Sequence, residues 1–327
     1  MTAPPRTPAR VLITGHGGFV GSAVCRQLLA RGDRVVGVAR GDYPAMVDAG
    51  VEQRRGDLTD LNFARDAIRD VDAVVHTAAI AGVSADEVRY QRINVDATEN
   101  VIDACRAAPV RSLVFTSSPS VTFDGTDQRG VDESVGYSAN HLCAYSRTKA
   151  EAEALVLAAD DPGDLRTVAL RPHLIWGPGD PHLEPRVVAK AKAGRLRIVG
   201  DGDNRIDVTH VDNAAAAHLN ALDVLASDPD RVGGRAFFLS DGEPVRAWDW
   251  IRDVCRRHGV EPPRKRVSLA TAYRIGAVLE TVYRIVRPSA EPPMTRFVAA
   301  QLGRDHYFDI TAARERLGYR PETHVGA

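Results

Sequence analysis

"VLITGHGGFVG", residues 11 to 21, runs four apolar or β-branched residues into three glycines placed at every third position, Gly15, Gly18 and Gly21. An apolar run bounded by glycine reads as a buried strand, and the following "FVGSAVCRQLLARG" places Val20, Val24, Leu28 and Leu29 at helical spacing before a terminating Gly32. A glycine-rich turn between strand and helix lets backbone approach a pyrophosphate closely, and the helix N-terminus offers free amides and a positive dipole end. The first strand, turn and helix therefore predict a dinucleotide site, with Phe19 and Val20 in the opening turn of the helix.

The same alternation continues outward from this unit. Apolar runs at 34–39, 73–79, 112–118 and 165–171 read as further strands, with helical patterns near 60–69, 94–107 and 142–159 between them. Strands alternating with helices predict a doubly wound parallel sheet, the α/β Rossmann class. Beyond Pro172 the pattern loosens: "HLIWGPGDPHLEPR" is rich in Pro and Gly, while 210–222 and 235–240 resume helix and strand. The expected division is a nucleotide-binding domain over 10–172, rejoined by 205–241, and a smaller interleaved substrate-binding region over 173–204 and 242–327.

Composition narrows the function. With 42 basic and 43 acidic residues the net charge is −1, so the broad positive footprint of a nucleic-acid binder is missing. Cys25, Cys105, Cys143 and Cys255 show no paired spacing, and the ten histidines contain no HExxH pattern, so neither a disulfide framework nor a metal site is signalled. The proline-rich "MTAPPRTPAR" lacks the apolar run of a signal peptide and reads as a disordered leader. A cytoplasmic protein with a small-molecule partner is expected. The most apolar late segment, 268–286, is interrupted by Arg274, Glu280 and Arg284. It predicts a helix covering an apolar substrate pocket, or a plain core or interface helix, rather than a membrane span.

The end of the second strand addresses cofactor choice. An acidic residue there would bond the ribose 2′-hydroxyl of NAD, whereas an arginine can pair with the 2′-phosphate of NADP. In "VVGVARGD" that place holds Ala39 and Arg40, with Asp42 too far along, which favours NADP(H). Asp57, with Leu58 beside it, follows the third strand and either meets the adenine or caps the next helix. Thr77, Ala78 and Ala79 are small enough for a cofactor to lie over the fourth strand, and Pro172 ends the last core strand before the loop.

In "HLCAYSRTKAEAE", residues 141–153, Tyr145 and Lys149 stand four apart and share one face of a helix. A neighbouring cation lowers the pKa of a phenol, ordinarily about 10, toward a range where proton exchange with a carbonyl becomes feasible. Upstream, "FTSSPSV" ends a strand in Ser117 and Ser118, where a hydroxyl can polarise a carbonyl beside the tyrosine. Cys143, two residues before Tyr145, is turned to another face and reads as a buried structural thiol.

With glycine turn, strand-end serine and Tyr-x-x-x-Lys in this order, the chain resembles the extended short-chain dehydrogenase/reductase family over nearly its full length. "RGDYPAM", "ALRPHLIWGPGDPHLEPR", "RLRIVGDGDNRIDVTHVDNAAAAHLNAL" and "VSLATAYRIGAVLE" look like its 3-beta-hydroxysteroid dehydrogenase branch. The resemblance implies Ser118 orienting a carbonyl, Tyr145 donating the proton, and Lys149 holding the nicotinamide ribose while depressing the tyrosine pKa. "INVDATENV" resembles the family's N-V-x-G-T-x-N-V segment with Ala97 in place of glycine, and leaves Asn94 open between assisting the cofactor and bracing a helix. The family's closing motif usually leads into a final helix, whereas "ERLGYRPETHVGA" stops at Ala327.

The implied activity is NADPH-dependent reduction of a long-chain 2-alkyl-3-oxo acid to the 3-hydroxy acid, in a homodimer with an apolar small-molecule substrate and, at most, peripheral contact with a membrane. His173, His182, Arg186 and Arg205 are the candidate partners for a substrate carboxylate. Four rivals stand beside this reading. Oxidation of a sterol uses the same triad, and a non-catalytic NADP-binding regulator would be expected to lose it. A sugar dehydratase would carry Asp-Glu after the serine, where this chain has Pro119 and Ser120; a sugar epimerase would retain NAD, against which Arg40 argues.

Overall fold

A computed structural model describes residues 9–323, so most of the expected leader lies outside the described residues. Seven parallel strands form the central sheet: β1 (Arg10–Thr14), β2 (Arg34–Ala39), β3 (Glu52–Arg55), β4 (Ala73–His76), β5 (Ser112–Thr116), then β7 (Arg166–Pro172) and β8 (Arg235–Leu239). Their order across the sheet is β8-β7-β5-β4-β1-β2-β3. A short strand, β6 (Gln128–Val131), pairs instead with β9 (His306–Phe308), whose Phe308 stacks on Phe238 of β8.

Alternate residues explain why the strands read as continuous apolar runs. Val11, Ile13, Val75, Val114 and Leu170 face one core, under α1 (Phe19–Ala30) and α6 (Val211–Ser227). Leu12, Val36, Val74, Leu113 and Ala169 face the other, under α2 (Leu61–Ile68), α3 (Ala97–Arg106) and α4 (Ala144–Ala158). With both faces covered, period-two alternation disappears from the inner strands because nearly every position there is buried; the edge strand β3 has none. The expected helix over 94–107 is two elements, a π-helical turn at Gln91–Asp96 leading into α3.

A third apolar cluster is built from residues 196 to 299, including Trp248, Trp250 and Ile251 of α7 (Ala247–Arg257). It is flanked by α5 (Leu183–Lys192), α8 (Leu269–Val286) and α9 (Arg296–Gly303). The strand order reverses between β2 and β4 on either side of β1, which opens the sheet's C-terminal edge at the β1 turn, the usual ligand crevice of such sheets.

Candidate active site

A cavity of about 810 Å³ runs from the β1 turn to the third apolar cluster. At its first end lie Gly15, Gly18, Phe19, Val20 and Gly21. Gly15 has φ +69°, and a Cβ on Gly21 would sit 2.2 Å from the Gly15 carbonyl oxygen, so the turn closes only around a bare α-carbon. No side chain caps α1 at Gly18 and no acidic residue stands in its first turn, so its leading amides face the cavity. An uncapped helix end beside a cradle that a side chain would fill fits a dinucleotide pyrophosphate.

Arg40, Asp57, Leu58, Thr77, Ala78, Ala79 and Pro172 all line this cavity. Arg40 is exposed at its rim. Burial works to raise the Asp57 carboxyl, but hydrogen bonds from Thr59 and the charges of Arg40 and Arg92 bring it below the usual range. Its oxygen accepts from the Thr59 amide at 3.0 Å, the local turn expected of a capping aspartate, while Asp60 caps α2 itself. Asn94 does not line the cavity. It is buried, exchanges hydrogen bonds with Ile80 N and O at 2.9 and 3.1 Å and donates to Thr148 Oγ1, so it braces the chain after β4 against α4.

Ser118, Tyr145 and Lys149 meet at the middle of the cavity. The extended backbone at Ser118 lets its hydroxyl accept from Ser120 N while it hydrogen-bonds the phenol of Tyr145. The expected lowering of the phenol is not what the structure holds. Burial pushes Tyr145 up to about 12, against the Ser118 hydrogen bond. The Lys149 ammonium donates to the Thr116 carbonyl at 2.6 Å and lies 3.9 Å above the Phe115 ring. Burial lowers Lys149 to about 7, with the Glu153 charge opposing. Burial outweighs the Ser118 hydrogen bond on Tyr145 and the Glu153 charge on Lys149, so the phenol keeps its proton at neutral pH. Cys143 sits at the N-cap of α4 with Sγ 3.5 Å from Ser146 Oγ, and burial raises it.

Two buried pairs beside the site join segments far apart in the chain. One helical turn beyond Lys149, Glu153 is fully buried and takes Arg171 of β7 in a two-pronged ion pair at 2.6 and 3.0 Å. Its signal was there, since Tyr145, Lys149 and Glu153 fall on one stripe at i, i+4 and i+8. Glu153→Gln is expected to strand the arginine charge and cost about 3–5 kcal/mol in urea unfolding. The double change Glu153→Leu with Arg171→Met should recover most of that loss.

The second pair spans 133 residues: His173 Nε2 lies 2.6 Å from His306 Nδ1, and His306 Nε2 lies 2.7 Å from the Gln301 carbonyl. That carbonyl can only accept, so His306 carries its proton on Nε2 and His173 donates to its Nδ1. Burial lowers both, His306 to about 4, so the pair is neutral. Leu174 follows at φ +37°, the single described non-glycine residue with positive φ, and presents its side chain to the cavity. Such a conformation costs about 1–3 kcal/mol and is held by surrounding structure.

The far half of the cavity is apolar, walled by Leu174, Leu183, Trp250, Ile251, Phe297 and Leu302. Of the candidate carboxylate partners, His173, His182 and Arg186 reach it, and Lys190, unmarked by the sequence, joins them. Arg205 does not; it lies exposed with its amide on Asp305. Nor does α8 line the cavity. It packs behind α9, whose Phe297, Val298, Gln301 and Leu302 form the wall.

Residues 12–270 match the 3-beta hydroxysteroid dehydrogenase/isomerase family. The chain belongs to that family. Within it, the chain is 44% identical over 319 residues to the 2-alkyl-3-oxoalkanoate reductase of Stenotrophomonas maltophilia, covering 97% of this chain and 96% of that protein. It is also 44% identical to the protein of the same name from Shewanella oneidensis, over 95% of this chain and 82% of the other. The sterol-4-alpha-carboxylate 3-dehydrogenase, decarboxylating, of Mus musculus is 32% identical over 94% of this chain and 86% of its own. Among solved structures, MoeE5 in complex with UDP-glucose and NAD superimposes with a TM-score of 0.72 at 28% identity, covering 97% of this chain and 94% of that one. Family membership makes the chain an NAD(P)-dependent dehydrogenase or reductase with a Rossmann fold.

Proposed function

We propose that the protein reduces a long-chain 2-alkyl-3-oxo acid to the 3-hydroxy acid with NADPH. The observation that carries this reading is the protonated phenol of Tyr145, hydrogen-bonded to Ser118 where the glycine-turn half of the cavity meets its apolar half. The 44% identity to reductases of that substrate class supports the choice of acid.

A bound reduced nicotinamide supplies a hydride; the remaining work falls to the chain. The amides after Gly18 hold the pyrophosphate, and Lys149 holds the nicotinamide ribose. Ser118 donates to the substrate carbonyl oxygen, and Tyr145 delivers its proton to that oxygen as negative charge develops there. The apolar wall takes the alkyl chains and excludes water. His182, Arg186 and Lys190 are the polar groups available to a carboxylate; His173 has given its one N–H to His306.

The test follows the reduced-nicotinamide absorbance in the oxidative direction, offering 2-alkyl-3-hydroxy acids and sterols with NADP+ or NAD+. Turnover of the hydroxy acids supports the proposal. Turnover of sterols alone would replace it with the sterol dehydrogenase reading, which the 32% identity to the mouse enzyme favours. For the cofactor, Arg40→Ala is expected to raise the KM for NADP+ about 10- to 100-fold, the worth of a charge-assisted phosphate contact, and to leave NAD+ nearly unchanged. An unaltered ratio would remove Arg40 from the 2′-phosphate.

A further inference from the structure

We infer that Glu291 is the resident counter-ion of a carboxylate-binding site at the cavity mouth, and that a long-chain carboxylate enters by taking its place on Arg186. The cations come from α5. Arg186 and Lys190 stand four apart on that helix, share one face and line the cavity. Burial lowers Lys190, with the Arg186 charge adding to that and the Glu291 charge opposing it. Asp180, the acidic residue lining this part of the cavity, is committed to the amides of His182, Leu183 and Glu184 at 2.7 to 3.0 Å. Among the described residues Arg186 has no carboxylate partner but Glu291, which arrives from the segment between α8 and α9.

The seat of Glu291 is built. Gly82, on the chain after β4, has φ +130°, and a Cβ there would lie 2.1 Å from a Glu291 carboxylate oxygen, so the carboxylate fills the space of a side chain. The Val83 amide donates to the same oxygen at 3.3 Å. On either side the segment is held by its own backbone: the Pro288 carbonyl accepts from the Ala85 amide at 3.0 Å, and the Pro293 carbonyl from Lys190 Nζ at 3.3 Å. Pro292 and Pro293 follow Glu291 directly and stiffen its presentation, since each fixes φ. Gly82, Val83, Arg186 and Lys190 all line the cavity, so the carboxylate stands at its mouth.

The hold on Glu291 is of the replaceable kind. Both of its oxygens reach a single nitrogen, Arg186 Nη2, at 3.1 and 2.9 Å, so the pair lacks the two-nitrogen fork that gives arginine its strongest grip on a carboxylate. Arg186 is 52% exposed and Glu291 36%, and exposed ion pairs contribute little to stability. An incoming carboxylate replaces like with like, so the guanidinium keeps a partner, and the newcomer is free to take the fork. A neutral ligand makes no such exchange and leaves Glu291 in place. Because hydroxy acid and oxo acid both carry the group, the returning Glu291 also helps release either one. The acid as substrate rests on the proposed function; the exchange on Arg186 does not.

The experiment is calorimetric titration of the full chain with 2-hexyldecanoic acid, which has no 3-hydroxyl to oxidise, and with its methyl ester. Glu291→Gln keeps an acceptor for the Val83 amide. It is expected to tighten the acid about three- to fivefold, the worth of an exposed ion pair that no longer competes, and to leave the ester within about twofold. Arg186→Gln should weaken the acid about tenfold or more, and adding Glu291→Gln to it should then change the acid by less than about twofold. Thermal unfolding should match the parent chain, since both positions are exposed. No binding of the acid, a glutamine variant at 291 that weakens the acid or leaves it unchanged, equal tightening of acid and ester, or tightening that persists without Arg186 would each overturn the exchange. Turnover of sterols alone, with this binding pattern intact, would remove the acid substrate and leave the carboxylate site standing.

Discussion

Tyr145→Phe is expected to lower kcat about a thousandfold or more, within the 10² to 10⁴ range of a positioned proton donor, while cofactor affinity stays within about twofold. The change removes one oxygen and keeps the ring that fills the wall. Because burial holds the phenol at about 12, it is protonated across the whole neutral range, so the reductive rate should show no phenol limb below about pH 9. A reductive rate that instead falls as pH rises through neutrality would show that bound cofactor brings the phenol down. Undiminished turnover by the phenylalanine variant would remove Tyr145 from the chemistry.

Lys149→Met should cost about 10²- to 10³-fold in turnover, and, unlike the tyrosine change, it should also weaken the cofactor. Its pH behaviour follows from burial. The folded pKa of about 7 lies below the free value of about 10.4, so between these two the unfolded chain binds the extra proton. Stability without cofactor therefore gains from this group as pH climbs from 7 toward 10, and that gain is lost as pH falls through 7. The methionine variant should lose this slope in urea titrations made across that window. A variant that keeps the slope would show Lys149 to be charged throughout.

Much of the site was legible because its parts are local. The β1 turn declares strand, glycines and helix within eleven consecutive residues, and Tyr145 and Lys149 share a face by helical period alone. Arg40, Asp57 and Thr77 to Ala79 follow from counting strand ends, because every strand of a parallel sheet delivers its C-terminus to the same edge. Asn94 shows the limit of that logic. Its segment was recognisable, but whether the amide meets a ligand or a backbone depends on how the turn after β4 folds over it, and Ile80 and Thr148 occupy its hydrogen bonds.

What the sequence determined by itself was the order of strands and helices and the residues that reach the crevice, since period and punctuation are properties of neighbours along the chain. Only the tertiary structure decided how those residues behave. Glu153 meets Arg171, His173 meets His306, and α8 stands behind the wall rather than in it, because distant segments must first pack. The protonation of Tyr145 and Lys149 was decided the same way: the solvent each group loses outweighs the Ser118 hydrogen bond on the one and the Glu153 charge on the other, and that loss exists only once the sheet and α4 have closed around them.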